Sequence, residues 1–239
     1  MKKLLNVLWV LSLCLSLGFI TACDGYFSGE KPADVVLEEA MEELNEKSYT
    51  VDTTMTVQIR MEYQGEVISE TEDLTMHTEA DPTQAYVKTI ADGTTQESYT
   101  KIENEEVKVY IFYNNHWSLT DRLSLDEYQE SNQQVYELDP KDCFELVDGV
   151  YVGNVEVINE QLKDFMESFA KDFIALGSIE MTTEVEKYDI ILKNKELSNI
   201  NVIMNMDMEV EGIQIKMRIT MPLEFSKIGK TEVTSPDID

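Results

Sequence analysis

The fold is decided by residues 49–63, which read YTVDTTMTVQIRMEY. The odd-numbered positions are mostly apolar or aromatic, and the even-numbered positions are polar or charged. Because side chains alternate between the two faces of a β-strand, this pattern predicts one long strand with a dry face and a wet face. Gln64-Gly65 then predicts a two-residue hairpin turn into a second strand over residues 66–79.

Further strands are predicted on either side of a mixed segment. Those before it lie at residues 84–90, 95–102 and 107–113, and their short connections predict an antiparallel meander. Residues 118–147 are predicted to form a lid or crossover, with short helices over 126–134 and from Asp139-Pro140. The later strands are predicted at residues 179–186, 188–192, 200–210 and 213–221, with a turn at Glu211-Gly212.

Two amphipathic helices precede the two sets of strands. Apolar residues recur at helical spacing from Val36 to Leu44, after a possible cap at Asp34, and again from Ile158 to Gly177, entered at Asn159. The same order of helix, long strand, X-Gly turn and strand therefore occurs twice. We predict one α+β domain over residues 33–230, with similar halves at about 33–117 and 155–228, and a flexible tail over 231–239.

The first residues predict where the protein is located. Two lysines and the apolar run Leu4–Ile20 are typical of a secretory signal peptide, here residues 1–22. Ile20-Thr21-Ala22-Cys23 resembles the lipobox of bacterial lipoproteins, which implies that Cys23 carries a lipid and begins the mature chain. Residues 23–32 would then be a lipidated tether on the extracytoplasmic face of the cell membrane. An ordinary cleaved signal peptide is the alternative.

Charge excludes one class of partner. Removing Lys2 and Lys3 from the 19 basic residues leaves 17 against 47 acidic residues, a formal charge of −30 for the mature chain. A nucleic-acid-binding protein needs a basic surface, so this class is excluded. Solubility is the simplest explanation of the acidity.

Catalytic and metal-binding motifs are not found in the sequence. His77 and His116 are the only histidines, and their spacing matches no metal site. Cys143 is the only cysteine left after lipidation and is predicted to be a small buried hydrophobe. We therefore expect no enzyme activity, no metal and no cofactor.

Methionines on the strands indicate a candidate ligand site. Methionine is flexible and adapts to irregular apolar partners, so a sheet face rich in it is suited to an acyl chain. Ordinary packing beneath the helices is the alternative explanation. The candidate ligand-binding residues are Met55, Val57, Ile59, Met61, Met204, Met206, Met208, Ile215 and Met217.

The order of these features resembles a known superfamily. A lipobox, a helix ending in Leu44-Asn45-Glu46-Lys47-Ser48-Tyr49 and long alternating strands resemble the LolA/LppX-like lipoprotein carriers and related uncharacterised Gram-positive lipoproteins. The resemblance covers most of residues 33–225 and carries over no functional residue. It implies a large curved antiparallel sheet, an unclosed half-barrel, with two principal helices on its concave face.

The function expected from these features is binding rather than catalysis. We expect a membrane-anchored extracytoplasmic lipoprotein that binds a lipid, an acyl chain or another hydrophobic or amphipathic ligand between sheet and helices. The alternative is a structural or protein-interaction lipoprotein of the cell envelope, with a filled core and no small ligand.

Overall fold

The computed structural model describes residues 32–125, 140–163, 179–210 and 213–238. Cys23, the helix expected over 126–134, most of the second expected helix and the Glu211-Gly212 turn lie outside these ranges. The helices are α1 (Ala33–Glu46), α2 (Pro140–Cys143) and α3 (Val155–Gln161). The strands are β1 (Tyr49–Tyr63), β2 (Glu66–Asp81), β3 (Gln84–Ala91), β4 (Thr94–Glu103), β5 (Glu106–Tyr113), β6 (His116–Ser124), β7 (Phe144–Val147), β8 (Val150–Gly153), β9 (Ile179–Lys193), β10 (Glu196–Val210) and β11 (Ile213–Ser226).

All eleven strands form one antiparallel sheet with the order β6-β5-β4-β3-β2-β1-β11-β10-β9-β8-β7. The chain starts at the centre with β1, steps outward to β6, and returns from β7 at the opposite edge to β11. Strands β1 and β11 pair over most of their length, for example Val57 with Ile219. This long-range pairing joins the two meanders. Because β6 and β7 are the two edges, the sheet is not closed.

Strand β1 has the two faces that its alternating pattern predicts. Val57 and Ile59 are at most 2% exposed, whereas their neighbours Gln58 and Arg60 are exposed. We call the face that carries Ile59 the core face and the face that carries Arg60 the outer face. Burial of the apolar side chains provides most of the driving force for this arrangement, at roughly 25 cal/mol per Å² removed from water.

Helix α1 packs into the same hydrophobic core as the centre of the sheet. Leu37 and Leu44 are buried in one cluster with the core face of β1, β10 and β11. The helix starts directly after Pro32 and has no side-chain cap, so the predicted cap at Asp34 was wrong and Asp34 lies in the first turn. The Tyr151 hydroxyl of β8 instead donates to the Ala33 carbonyl over 2.9 Å, which fixes the start of α1 against the sheet.

Helix α3 starts earlier than the sequence analysis predicted. Its cap is Asn154, whose side chain accepts from the Val157 amide, and not Asn159. Asn159 has a different role: its amide group donates to the Val185 carbonyl over 2.9 Å and accepts from the Val185 amide over 2.7 Å. An asparagine can substitute for a strand partner in this way, and the result is that α3 is attached to β9.

The edge strands were not predicted. Strands β6 and β7 occupy parts of the segment that was expected to be a lid or crossover, and β8 follows directly after it, although α2 does begin at Pro140 as predicted. Most residues of β6 and β7 are half-buried or exposed, so they lack the apolar alternation by which a strand is recognised. The two strands expected over 179–192 are one strand, β9, interrupted in its pairing by a bulge between Val185 and Lys187.

Tight turns connect most neighbouring strands. Gln64-Gly65 and Asp92-Gly93 each have positive φ at both positions, as a type I′ hairpin turn requires. The Asn104-Glu105 turn between β4 and β5 has the same conformation, with φ of 55° and 61°. Glu105 is therefore held in a left-handed conformation that glycine adopts at less cost.

Glu105→Gly is expected to stabilise the protein. Relief of the left-handed strain should outweigh the entropy that glycine loses on folding and raise the free energy of unfolding by about 0.5–1 kcal/mol. Urea unfolding measures the change. The matched control is Thr95→Gly, at an exposed extended position of β4, which should lower stability. A loss in both variants would contradict the turn assignment.

Candidate functional site

The nine predicted ligand-binding residues lie together on the core face of three neighbouring strands. In the register of the sheet, Ile59 of β1 lies opposite Met217 of β11, which lies opposite Met206 of β10. Neighbouring rows on either side of this central row complete a continuous surface, which we call the methionine floor. Its members are Met55, Val57, Ile59 and Met61 of β1, Met204, Met206 and Met208 of β10, and Ile215 and Met217 of β11.

The methionine floor is covered. Eight of its nine side chains are at most 7% exposed, and Met61 is half-buried. The same core cluster contains Ile158 and Leu162 together with Leu37 and Leu44 of α1. A ligand that binds here must therefore displace or separate side chains that pack on the floor. Methionine tolerates such rearrangement because its unbranched side chain has three rotatable bonds.

Polar groups lie at both ends of the central row of the floor. Glu70 of β2 lies opposite Ile59, and Thr183 of β9 lies opposite Met206. The Thr183 hydroxyl is buried and has no hydrogen-bond partner among the described residues. A buried hydroxyl normally has a partner, because leaving it unpaired costs about 1–3 kcal/mol. The row is thus apolar in the middle and polar at its ends.

A second polar cluster lies on the outer face of β1 and β2. The two ring nitrogens of His77 lie 2.6 Å from a carboxylate oxygen of Asp52 and 3.3 Å from one of Glu79. The end of the chain crosses this face: the Thr234 amide donates to Glu79 over 2.8 Å, and Ser235 lies 3.4 Å from the hydroxyl of Tyr99. The expectation of a flexible tail did not anticipate these contacts.

The groups of this cluster have shifted pKa values. Burial lowers the pKa of His77, but hydrogen bonds with Asp52 and Glu79 outweigh it and raise the pKa above its ordinary value of 6.5. Burial raises the pKa of Glu79, but hydrogen bonds from Thr234 and His77 outweigh it and hold that pKa below 4.5. The cluster is therefore most stabilising with His77 protonated and Glu79 ionised.

His77→Gln is expected to remove a pH-dependent part of the stability. The raised pKa of His77 contributes stability that is complete below pH 6.5 and is lost as the pH rises through the folded-state pKa. Glu79 contributes above pH 4.5 and loses its contribution as the pH falls through its lowered pKa. The wild-type protein should have a higher unfolding free energy than His77→Gln, and this difference should be larger at pH 5.5 than at pH 8.5. The extra difference should be about half a kcal/mol, small because His77 is 35% exposed.

Urea unfolding of both proteins at the two pH values measures this effect. Both chains share the other titrating groups, so subtracting their stabilities isolates His77. A difference that is equal at pH 5.5 and pH 8.5 would show that His77 does not change its charge interactions on folding.

A groove of about 620 Å³ lies on the outer face, opposite the methionine floor. It runs across β2, β1, β11, β10 and β9, and three of its lining residues are cations. The polar and charged residues that line it are Gln58, Arg60, Ser69, Glu70, Thr71, Glu184, Asn205, Asp207, Lys216 and Arg218. We call it the outer groove.

The bulge in β9 places a carboxylate at the outer groove. Glu186 has no register partner in β10, since Ile203 pairs with Lys187 and Met204 with Val185. Its carboxylate accepts from Arg218 through both oxygens, at 3.0 and 2.6 Å, and from Asn205 at 3.1 Å. Hydrogen bonds from Arg218 and then Asn205 hold the pKa of Glu186 below its ordinary value. This site was not predicted, and no local pattern in the sequence indicates it, because only the pairing of distant strands brings its basic residues together.

Other residues with catalytic or metal-binding chemistry are separate from these sites. Cys143 is completely buried, as predicted, and its thiol donates to the Gln161 side chain over 3.2 Å. His116 is exposed at the start of β6, with Nδ1 3.3 Å from the Asn114 carbonyl. Within the described ranges, no group of three His, Cys, Asp or Glu side chains is arranged to hold a metal ion. None of the helices described here combines the length and apolar character needed to cross a membrane.

Comparison with known proteins gives little further information. No protein-family model matches the chain, and no curated protein matches it. The ywiB protein from Bacillus subtilis is 14% identical, with 79% of this chain and 96% of that chain covered and a TM-score of 0.23. A DUF1329 family protein from Desulfovibrio piger is 9% identical, with coverages of 85% and 93% and a TM-score of 0.27. For Ail, the attachment invasion locus protein of Yersinia pestis, the identity is 5%, the coverages are 76% and 99%, and the TM-score is 0.24. TM-scores this low support no argument about function.

Proposed function

We propose that this protein is a non-enzymatic lipoprotein, anchored in the membrane through Cys23, that binds an amphipathic ligand with an acyl chain on the methionine floor. In this proposal the helices cover the concave face of a curved half-barrel, and the ligand lies between them and the sheet. The observation that carries the proposal is the floor itself, on which six methionines and three aliphatic residues from three strands adjoin one another.

The polar ends of the central row support an amphipathic ligand rather than a purely apolar one. An acyl chain would lie along Ile59, Met217 and Met206, and its polar end would accept or donate a hydrogen bond at the Thr183 hydroxyl. Such a ligand would satisfy a buried group that has no partner among the described residues. Burial of each methylene adds about 0.8 kcal/mol, so the affinity should rise with the length of the acyl chain.

A second function is favoured by the depth of burial of the floor. Side chains that are at most 7% exposed already have apolar neighbours, which is what a filled core requires. In that case the protein would be a structural or protein-interaction lipoprotein of the cell envelope. In the first function a ligand replaces side chains that pack on the methionine floor. In the second function those side chains stay in place.

Native mass spectrometry of the mature chain with Cys23→Ser distinguishes them. The substitution prevents lipidation, so any lipid adduct that survives purification and is released by solvent extraction occupies a binding site. The carrier function predicts an adduct and uptake of a fluorescent fatty acid. A clean apo mass without uptake would support the filled core.

Thr183→Val tests the position of the ligand without a large change in shape. It removes the hydroxyl and is expected to weaken fatty-acid binding about tenfold, since a hydrogen bond to a charged group contributes about 1.5–3 kcal/mol. The matched control is Thr78→Val, which removes another buried hydroxyl without a partner among the described residues, on β2 outside the floor. Equal affinity in the two variants would place the ligand elsewhere.

A further inference from the structure

We propose that the outer groove is a second binding site, which takes a phosphate group carried by a polyol and holds it with Arg60, Lys216 and Arg218. This site lies on the face of the sheet opposite the methionine floor, and its ligand is independent of the acyl chain proposed there.

Two like charges lie side by side on the outer face. Arg60 and Lys216 are direct register partners on β1 and β11, and like charges in that position destabilise a sheet. The acidic neighbours relieve this repulsion only weakly. Lys216 lies 3.5 Å from a carboxylate oxygen of Asp207, and Arg60 lies 4.0 Å from one of Glu62. Both cations are about 60% exposed. An anion between them would convert the repulsion into attraction.

Arg218, the third cation, is held in a fixed orientation. Its register partner is Gln58, so it lies beside Arg60 and Lys216 on the same face. The bidentate contact with Glu186 fixes the plane of the guanidinium and uses two of its five N–H groups. Within the described parts of the chain, the remaining donors have no hydrogen-bond partner and can bind a ligand. Because a bulge rather than regular pairing places Glu186, the arrangement has a specific structural cause.

The rest of the lining defines the class of ligand. Arginine and lysine together match the oxygens of a phosphate group, which accepts hydrogen bonds from several directions. Gln58, Ser69 and Thr71 line the same groove and offer amide and hydroxyl groups to the hydroxyls of an attached polyol. The net charge of −28 repels anions at a distance, but salt screens that repulsion beyond about 8 Å under physiological conditions. The three cations lie together on β1 and β11, whereas the acidic residues Asp207 and Glu184 line the groove from β10 and β9.

Thermal unfolding and titration calorimetry of the mature Cys23→Ser chain test the site with inorganic phosphate. Phosphate should raise the melting temperature above that in sodium chloride of equal ionic strength. Arg60→Gln should weaken phosphate binding at least tenfold. It should not lower the melting temperature without phosphate, because it removes a like-charge contact. The control is Lys101→Gln, which changes a cation of β4 that pairs with Glu103, does not line the groove and should leave binding unchanged.

Two results would overturn the proposal: the same melting temperature in phosphate and chloride, or equal phosphate affinity in Arg60→Gln and wild type. The source of the phosphate is determined with two further probes, glycerol phosphate in solution and vesicles that contain phosphatidylglycerol. Tighter binding of glycerol phosphate than of inorganic phosphate indicates a soluble ligand. Vesicle binding that is lost in Arg60→Gln and absent with pure phosphatidylcholine indicates a lipid headgroup.

Discussion

Ile59→Asp is expected to remove at least about 4 kcal/mol of stability, a large part of the 5–15 kcal/mol that a domain usually has. Ile59 is 2% exposed in the centre of the methionine floor, between Met217 and Glu70 in the register of the sheet. A carboxylate there would lose its water without gaining a cation, and the neighbouring Glu70 would repel it. Urea unfolding followed by circular dichroism measures the loss.

Gln58→Asp is the matched control, because it introduces the same side chain one residue earlier. Gln58 is exposed on the outer face and lies opposite Arg218, so its replacement should change stability by less than about 0.5 kcal/mol. Shifting the register of β1 by one residue would exchange the two faces and reverse the two outcomes. A larger loss for Gln58→Asp than for Ile59→Asp would therefore contradict the register of the central strand.

The pH dependence gives a further check on the cause. A buried aspartate has a raised pKa, so its penalty should decrease as the pH falls and the carboxyl group becomes neutral. The stability difference between Ile59→Asp and Gln58→Asp should therefore be smaller at pH 5 than at pH 8. A difference that does not depend on pH would show that lost packing, and not charge, causes the effect.

The central strands were predictable from the sequence because their burial follows the simplest rule. In β1 the alternation from Val51 to Ile59 shows which residues are buried, and the Gln64-Gly65 turn fixes the pairing with β2. The contiguity of the methionine floor also depends on the pairing of β1 with β11, whose residues are more than 150 positions apart in the chain. No local pattern encodes that contact. The nine residues share one face of the sheet because the alternation in each strand separately shows which side chains point the same way.

The outer groove shows what local patterns cannot provide. Arg60, Lys216 and Arg218 each look like ordinary exposed residues of an alternating strand, and only the pairing of β1 with β11 brings them together. Glu186 was assigned to the end of one strand before a second began. The structure instead continues the strand through a bulge, and this bulge is what directs Glu186 toward Arg218. The alternation of polar and apolar residues does not show where a bulge shifts the strand pairing by one residue.

Gly153→Ala is expected to cost about 3 kcal/mol or more, at the upper end of the range for overpacking. Gly153 ends β8 where the strand passes very close to β9. A Cβ atom there would collide with the Tyr188 carbonyl oxygen and lie 2.7 Å from Ile158 Cδ1. The Tyr188 oxygen belongs to the backbone of the sheet and cannot move away without disturbing the strand. The Tyr188 ring also contacts the Phe144 ring edge-on, with centroids 5.5 Å apart, so a displacement of Tyr188 would spread to β7. Urea unfolding measures the effect.

Two further variants determine which neighbour causes the cost. Val152→Ala changes the preceding residue, which is 39% exposed, and should cost well under 1 kcal/mol. Ile158→Ala removes the side-chain obstacle but leaves the backbone obstacle in place. If the Tyr188 carbonyl limits the space, the effects of Gly153→Ala and Ile158→Ala should add within about 0.5 kcal/mol. If the double variant is instead much more stable than the sum of the two single losses predicts, the tight contact is with the Ile158 side chain. Helix α3 rather than strand β9 then requires glycine at this position.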